Sequence, residues 1–190
     1  MAEGKLFYVI GPSGSGKDSL MRYARARLAS NPGVVFAHRY ITRPVELNGE
    51  NHVFLTEAEF DARLAAGLFA MHWESHGLRY GIGCEINLWL AKGCNVVMNG
   101  SREYLPEALR LYPALTAILV TVSPEILADR LRARGRETED QIARRIERAR
   151  QFMRPQGQLE IIQNDSDLEI AGERLIQLLG IHTMPSRAFA

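Results

Sequence analysis

Nine consecutive residues, Gly11-Pro12-Ser13-Gly14-Ser15-Gly16-Lys17-Asp18-Ser19, lie between the apolar run Leu6-Phe7-Tyr8-Val9-Ile10 and the helix-like stretch Leu20-Met21-Arg22-Tyr23-Ala24-Arg25-Ala26. A glycine-rich turn of this spacing, ending in lysine between a strand and a helix, cradles phosphate. Successive backbone N–H groups turn inward on the oxygens, the helix N-terminus adds its positive end, and Lys17 is placed to reach β- and γ-phosphates. The expected ligand is ATP, held by residues Gly11 to Ser19. Asp18 stands where serine or threonine would offer Mg²⁺ a hydroxyl. Two explanations stay open: its carboxylate brings an oxygen to the metal, directly or through water, or it complements the first helical turn, where acids are favoured. Ser19 is about 100° further round the helix and does not substitute.

A second concentration of chemistry lies between Arg130 and Arg154. Nine arginines (130, 132, 134, 136, 144, 145, 148, 150, 154) face four acids (Glu137, Glu139, Asp140, Glu147). Ion pairing on a solvated helix accounts for part of such a run, but not for its imbalance. Helical spacing puts Ile142, Ile146, Ala149 and Met153 on one face and leaves Arg144, Arg145 and Arg148 elsewhere. Guanidinium groups suit a transferring phosphoryl group, whose charge spreads over equatorial oxygens that arginine can hold.

The elements that must position these groups alternate along the chain. Strand-like runs are expected at Leu6–Ile10, Val34–Ala37, Asn95–Asn99, Ala117–Val122 and Leu159–Gln163, and helices at Asp18–Ala29, Glu85–Ala91, Tyr104–Leu111, Pro124–Arg134, Glu139–Phe152 and Asp167–Leu179. Alternation of this kind predicts an α/β fold, a three-layer P-loop NTPase sandwich with a parallel sheet covered by helices on both faces. Ser123-Pro124 reads as an N-cap and N1 pair. Residues 42–82 interrupt the alternation with a short helix, opened by a Thr56/Glu59 capping box and flanked by strand-like pieces. They are expected to form a small insert. Residues 134–140 suit a mobile lid, and the tail 181–190 is expected outside the core. The whole is read as a single domain, with core segments 5–41, 83–133 and 141–180.

The bulk numbers exclude several classes. With 190 residues, 46% hydrophobic, the chain can bury a full core. A formal net charge of +1 gives no global field selecting nucleic acid or membrane. The longest apolar runs are too short to span a bilayer, and no cleavable signal pattern precedes the first strand, so a soluble cytoplasmic protein is expected. Cys84 and Cys94 have no metal-ligand or redox spacing. Oligomeric state is not legible.

Four stretches together resemble the guanylate kinase family: GPSGSGK near the N-terminus, a Thr42-Arg43 dipeptide opening the insert with NGE and Phe54 downstream, GxxYG at Gly77–Gly81, and RLRARGRETEDQIARRI from Arg130 to Ile146. The resemblance spans residues 6 to about 170. It implies a P-loop kinase in which Lys17, Arg130, Arg134 and Arg145 act on the transferred phosphate, and it makes Asn164 a contact to the adenine base.

The departures gather in the acceptor half. The resemblance puts a second arginine where Glu46 stands, two tyrosines at the positions of His52 and Arg79, and a guanine-reading glutamate at Met71; no aspartate follows Val96-Val97-Met98, only Asn99-Gly100. A site that hydrogen-bonds a base discriminates through those polar partners, so their loss argues against GMP. GPSGSGKDSL and VVMNGSR are similar instead to the branch of the family that phosphorylates ribose 1,5-bisphosphate in phosphonate breakdown. A sugar bisphosphate carries more charge than GMP and no base. The insert offers Arg43, His52, His72, His76 and Arg79, and Arg102 adds a further cation; Arg43, His52, His72, Arg79 and Arg102 are the expected substrate contacts. His72, Glu74 and His76 also alternate as a metal site might. A guanylate kinase with an altered pocket, and a non-catalytic binding module on the same fold, stay open as other readings.

Overall fold

Leu6–Ile10 is apolar at every position and buried at every position, as a central parallel strand covered on both faces must be. A computed structural model of the protein describes residues 3–45, 52–135, 138–151 and 159–180. The side chains of Arg134 and of residues 148–151 fall outside that description, as do Glu46, Arg136, Glu137, Met153, Arg154 and the tail 181–190.

In chain order the elements are β1 (Leu6–Ile10), α1 (Lys17–Arg27), β2 (Val34–Phe36), β3 (Arg39–Ile41), β4 (His52–Phe54), α2 (Glu57–Ala65), β5 (Phe69–Ser75), β6 (Leu78–Gly83), α3 (Glu85–Ala91), β7 (Asn95–Asn99), α4 (Leu105–Leu111), β8 (Thr116–Thr121), α5 (Pro124–Arg134), α6 (Glu139–Gln151), β9 (Leu159–Gln163) and α7 (Leu168–Leu178). Five strands make one sheet in the order β2-β7-β1-β8-β9. β7 runs parallel to both β1 and β2, with Leu6 opposite Val96 and Val34 opposite Asn95. The chain divides into two compact units, Met1–Ile10 with Pro32–Ala117, and Gly11–Asn31 with Ile118–Ala190.

The first unit carries a second sheet, ordered β4-β3-β6-β5. β3 enters it at Arg39, ahead of the boundary expected at residue 42. The Thr56 hydroxyl accepts from Glu59 N–H at 3.2 Å and Glu59 Oε2 accepts from Thr56 N–H at 2.9 Å, the capping box expected at the start of α2. β5 alternates as a half-buried strand should, with Met71 and Trp73 inward and His72 and Glu74 outward. His76 departs from that alternation. With φ of 51° beside Gly77 at 71°, it forms the two-residue turn joining Ser75 to Leu78, where hairpins demand positive φ. The expected His72, Glu74, His76 face is thus cut at Glu74.

In the second unit, Leu20 and Ala24 of α1 and Ala171, Leu175 and Ile176 of α7 are buried. Tyr23 Oη donates to Glu173 at 2.8 Å, and the Tyr23 ring lies against Gly172. α6 docks on α5 through Ile142, buried against Leu127, Ala128 and Leu131, with Ile146 packed beside them. Burial of one such side chain contributes about 1.5–3 kcal/mol. Arg132 ties the two helices from outside, donating to both Glu139 carboxylate oxygens at 2.9 and 3.0 Å. Ser123 and Pro124 occupy the expected N-cap and N1 positions of α5, but the Ser123 side chain makes no capping bond. Asp165 accepts instead from the N–H of Ser123 itself at 2.7 Å.

Candidate active site

Between β1 and α1 the chain turns through Gly11–Gly16. Ser15 N–H closes the turn on the Pro12 carbonyl at 3.1 Å, and Leu20 N–H starts the helix on the Gly16 carbonyl at 3.0 Å. Gly16 is the N-cap of α1 at φ 83°, a conformation that costs an ordinary L-residue about 1–2 kcal/mol. A β-carbon there would also run into the Asn164 amide nitrogen and come within 3.5 Å of Arg130 Nη1. Glycine is required on both counts.

Ser15 is fully buried, and neither Ser15 Oγ nor Arg130 Nη1, both buried, has a hydrogen-bond partner. Buried polar atoms left without partners are rare in native structures. A phosphate that accepts from the guanidinium satisfies one of them, and the turn's own amides are the donors such an anion needs. Arg145 reaches the same turn from α6, its Nη1 donating to Ser13 Oγ at 2.9 Å. Of the three expected lid arginines, Arg130 and Arg145 therefore border the loop, and the side chain of Arg134 lies outside the described residues. Lys17 Nζ lies 3.1 Å from Asp18 Oδ1. The Asp18 carboxylate is exposed at the first turn of α1, a hard oxygen donor of the sort Mg²⁺ takes alongside phosphate oxygens.

Asn164, the expected adenine contact, lies against the glycine-rich loop. It is buried, with its amide nitrogen donating to the Ser15 carbonyl at 2.7 Å and its N–H to the Thr121 carbonyl at 2.9 Å. Its neighbour Asp165 accepts from Gln163 Nε2 at 2.7 Å as well as from Ser123. Burial pushes the Asp165 carboxyl upward, but the Ser123 and Gln163 donors and the Arg130 charge outweigh it and hold the group below the ordinary carboxylate value.

The expected acceptor residues all belong to the other unit. Arg79 is paired within the protein: Nη1 donates to Asp61 at 2.6 Å and Glu57 at 3.3 Å, Nε lies 3.9 Å from Glu74, and the guanidinium sits 4.3 Å over the Phe60 ring. The Asp61 hydrogen bond leads in raising its pKa. This guanidinium stitches the hairpin to α2. His52 is buried, with Nε2 donating to the Arg43 carbonyl at 2.9 Å, so it fixes the backbone at Arg43. His72 is exposed on β5, Arg43 half-buried after β3, and Arg102 half-buried after β7. Among the described residues no group of three or more His, Cys, Asp or Glu could hold a metal ion.

Several residues of this unit were given no role by the sequence. Tyr80 stacks on Trp73 at 5.5 Å, Trp73 stacks on Tyr104 at 5.3 Å, and Arg39 lies 5.0 Å over Tyr80. Tyr8 Oη donates to the Ser101 carbonyl at 3.1 Å and accepts from Ser101 N–H at 2.9 Å. Burial drives the Tyr8 hydroxyl far above its usual pKa, so it stays a donor and pins the turn after β7. Tyr80 was visible in the GxxYG motif; Tyr8, inside an apolar strand, gave no signal beyond its hydroxyl.

Residues 3–180 match the guanylate kinase family model. Over all 190 residues the chain is 79% identical to a protein of Thiobacillus denitrificans named ribose 1,5-bisphosphate phosphokinase, covering the whole of both chains. A protein of the same name from Psychromonas ingrahamii is 56% identical over 179 residues, 94% of this chain and 91% of that one. The crystal structure of guanylate kinase from Anaplasma phagocytophilum superposes with a TM-score of 0.67 at 18% identity, over 97% of this chain and 89% of that one, a likeness of fold.

Proposed function

Because the chain belongs to the guanylate kinase family, we propose that it is a phosphotransferase that uses MgATP to phosphorylate the 1-phosphate of ribose 1,5-bisphosphate, giving 5-phospho-α-D-ribose 1-diphosphate and ADP. The observation that carries the acceptor is full-length identity of 79% to a relative bearing that name. Phosphonate catabolism, in the cytoplasm where ATP is at hand, is the setting this reading implies.

The amides of residues 11–16 and Lys17 hold the β- and γ-phosphates. Arg130 and Arg145, which border that loop, act on the transferring group, joined by Arg134 on the strength of the family resemblance. An oxygen of the sugar 1-phosphate attacks the γ-phosphorus, and the bond from that phosphorus to the β,γ-bridging oxygen breaks, leaving its electron pair on ADP. A phosphate monoester has a second pKa of about 6, so no side chain needs to remove a proton near neutral pH. Rate enhancement then comes from alignment and positive charge. Asp18 would help hold Mg²⁺, directly or through water, and the ion would supply neutralisation of the triphosphate charge. On the acceptor side Arg43, His72 and Arg102 are the assigned contacts.

The test is an acceptor screen with γ-labelled ATP, offering ribose 1,5-bisphosphate beside GMP. Label is expected in 5-phospho-α-D-ribose 1-diphosphate. Rapid labelling of GDP with the pentose bisphosphate ignored would overturn the reading.

A further inference from the structure

The carbonyl of Ser15 points away from solvent and is gripped by a side chain from the far end of the chain. From the Asn164 amide nitrogen to that oxygen is 2.7 Å, and Asn164 is 3% exposed. A trans peptide sets its C=O and the following N–H in opposite directions. Holding Ser15 C=O toward Asn164 therefore turns Gly16 N–H away from Asn164, on the opposite side of the same peptide plane. Gly16 follows with a positive φ of 83°. The contact is close enough that a β-carbon on Gly16 would meet that same amide nitrogen.

Asn164 is itself anchored. Its N–H continues the ladder onto the Thr121 carbonyl at 2.9 Å, Thr121 Oγ1 donates to Gln163 Oε1 at 2.7 Å, and Asp165 holds Ser123 N–H at the start of α5. α5 carries Arg130. One three-residue segment at the end of β9 thus holds both the loop's central peptide and the helix that brings the guanidinium against it.

We propose that Asn164 is a positioning residue for the phosphate-binding loop: it sets the Ser15–Gly16 peptide so that the loop amides converge on the triphosphate, and it acts on every triphosphate alike, whatever base it bears. This rests on the triphosphate-binding reading above and assigns Asn164 a role other than recognition of adenine.

The two roles separate by what they ignore. A residue that reads adenine is blind to inorganic tripolyphosphate, whereas one that sets the loop is blind to the base. The experiment measures binding of tripolyphosphate, ATP and GTP to the full chain by the ligand-induced rise in melting temperature, for the natural protein, Asn164→Ala and Asn164→Asp. The aspartate variant keeps the shape but offers no N–H to the Ser15 carbonyl. Both variants are expected to lose about tenfold or more in affinity for all three ligands, a tenfold change being ~1.4 kcal/mol, with the ATP to GTP ratio unchanged. A changed ratio with tripolyphosphate binding intact overturns the proposal in favour of base contact, and unchanged affinities overturn it outright. Variants that do not fold overturn it in favour of a purely structural role. Failure of the natural protein to bind any of the three removes the triphosphate-binding reading itself, a result distinct from the others.

Discussion

Replacing Arg79 distinguishes what its position in the sequence suggests from what its surroundings do. Arg79→Met keeps an apolar stem over Phe60 and removes the charge. The guanidinium lies 4.3 Å over the ring, a contact worth about 0.5–1 kcal/mol at a partly exposed site. Its two close carboxylates, Asp61 at 2.6 Å and Glu57 at 3.3 Å, are themselves well exposed, so each pair contributes only about 0.2–1 kcal/mol after screening. The sum is about 1–3 kcal/mol. For a chain of this length each kcal/mol moves the melting midpoint by about 2–4 °C, so the variant is expected to melt about 2–12 °C lower. Asp61→Asn should reproduce part of that loss, and the two substitutions together should fall short of additivity because they share one interaction. At about 1 M salt the difference should shrink, as the exposed partners are screened. Steady-state kinetics on the folded variant are expected to leave KM for ribose 1,5-bisphosphate within about threefold of the natural value, well under the tenfold of ~1.4 kcal/mol. An acceptor KM raised tenfold or more with the melting midpoint unmoved would refute this reasoning and return Arg79 to the substrate.

Other substitutions address the donor half. Lys17→Ala and Arg145→Ala should each reduce turnover by orders of magnitude with circular dichroism and melting little changed; retained turnover in either removes that residue from the mechanism. Asp18→Ala should raise the Mg²⁺ concentration needed for half-maximal rate, and an unaltered Mg²⁺ requirement assigns Asp18 to the helix turn instead. Asp165→Asn tests the pH linkage: because the folded carboxyl sits below its ordinary value, its stabilising effect is present at neutral pH. That effect is lost as pH falls through the folded pKa, so denaturant melts of variant and natural protein should differ at pH near 7 and converge below about pH 4. A gap that widens on acidification has the wrong sign.

The donor loop was legible because its chemistry is local. Gly11, Gly14, Gly16 and Lys17 fall within one seven-residue stretch, and the geometry they need is set by backbone conformation, which glycine announces in the sequence. The same holds for the capping box at Thr56 and Glu59, and for the apolar strand Leu6–Ile10. Side-chain commitments across the chain were not legible. Arg79 is a cation near the right motif, but its meaning depends on Asp61 and Glu57 one hairpin away. His52 looks like a polar residue at the insert's edge until burial and the Arg43 carbonyl claim it. A charge or an imidazole in a sequence has an identity but no partner, and the partner decides whether it can meet a ligand.

Asn164 shows the same principle. The resemblance made it a contact to the adenine base, and in the structure its amide is turned to the Ser15 carbonyl of the glycine-rich loop. Asparagine mid-chain has one short side chain and two donor hydrogens, and at 3% exposure those donors must be matched inside the protein or cost about 1–3 kcal/mol each. A loop held open by three glycines has many conformations available, so the carbonyl that Asn164 grips selects among them. Glycines give the loop its freedom to wrap phosphate; distant buried polar groups remove the part of that freedom the ligand would otherwise have to remove, and affinity rises by the entropy saved before binding.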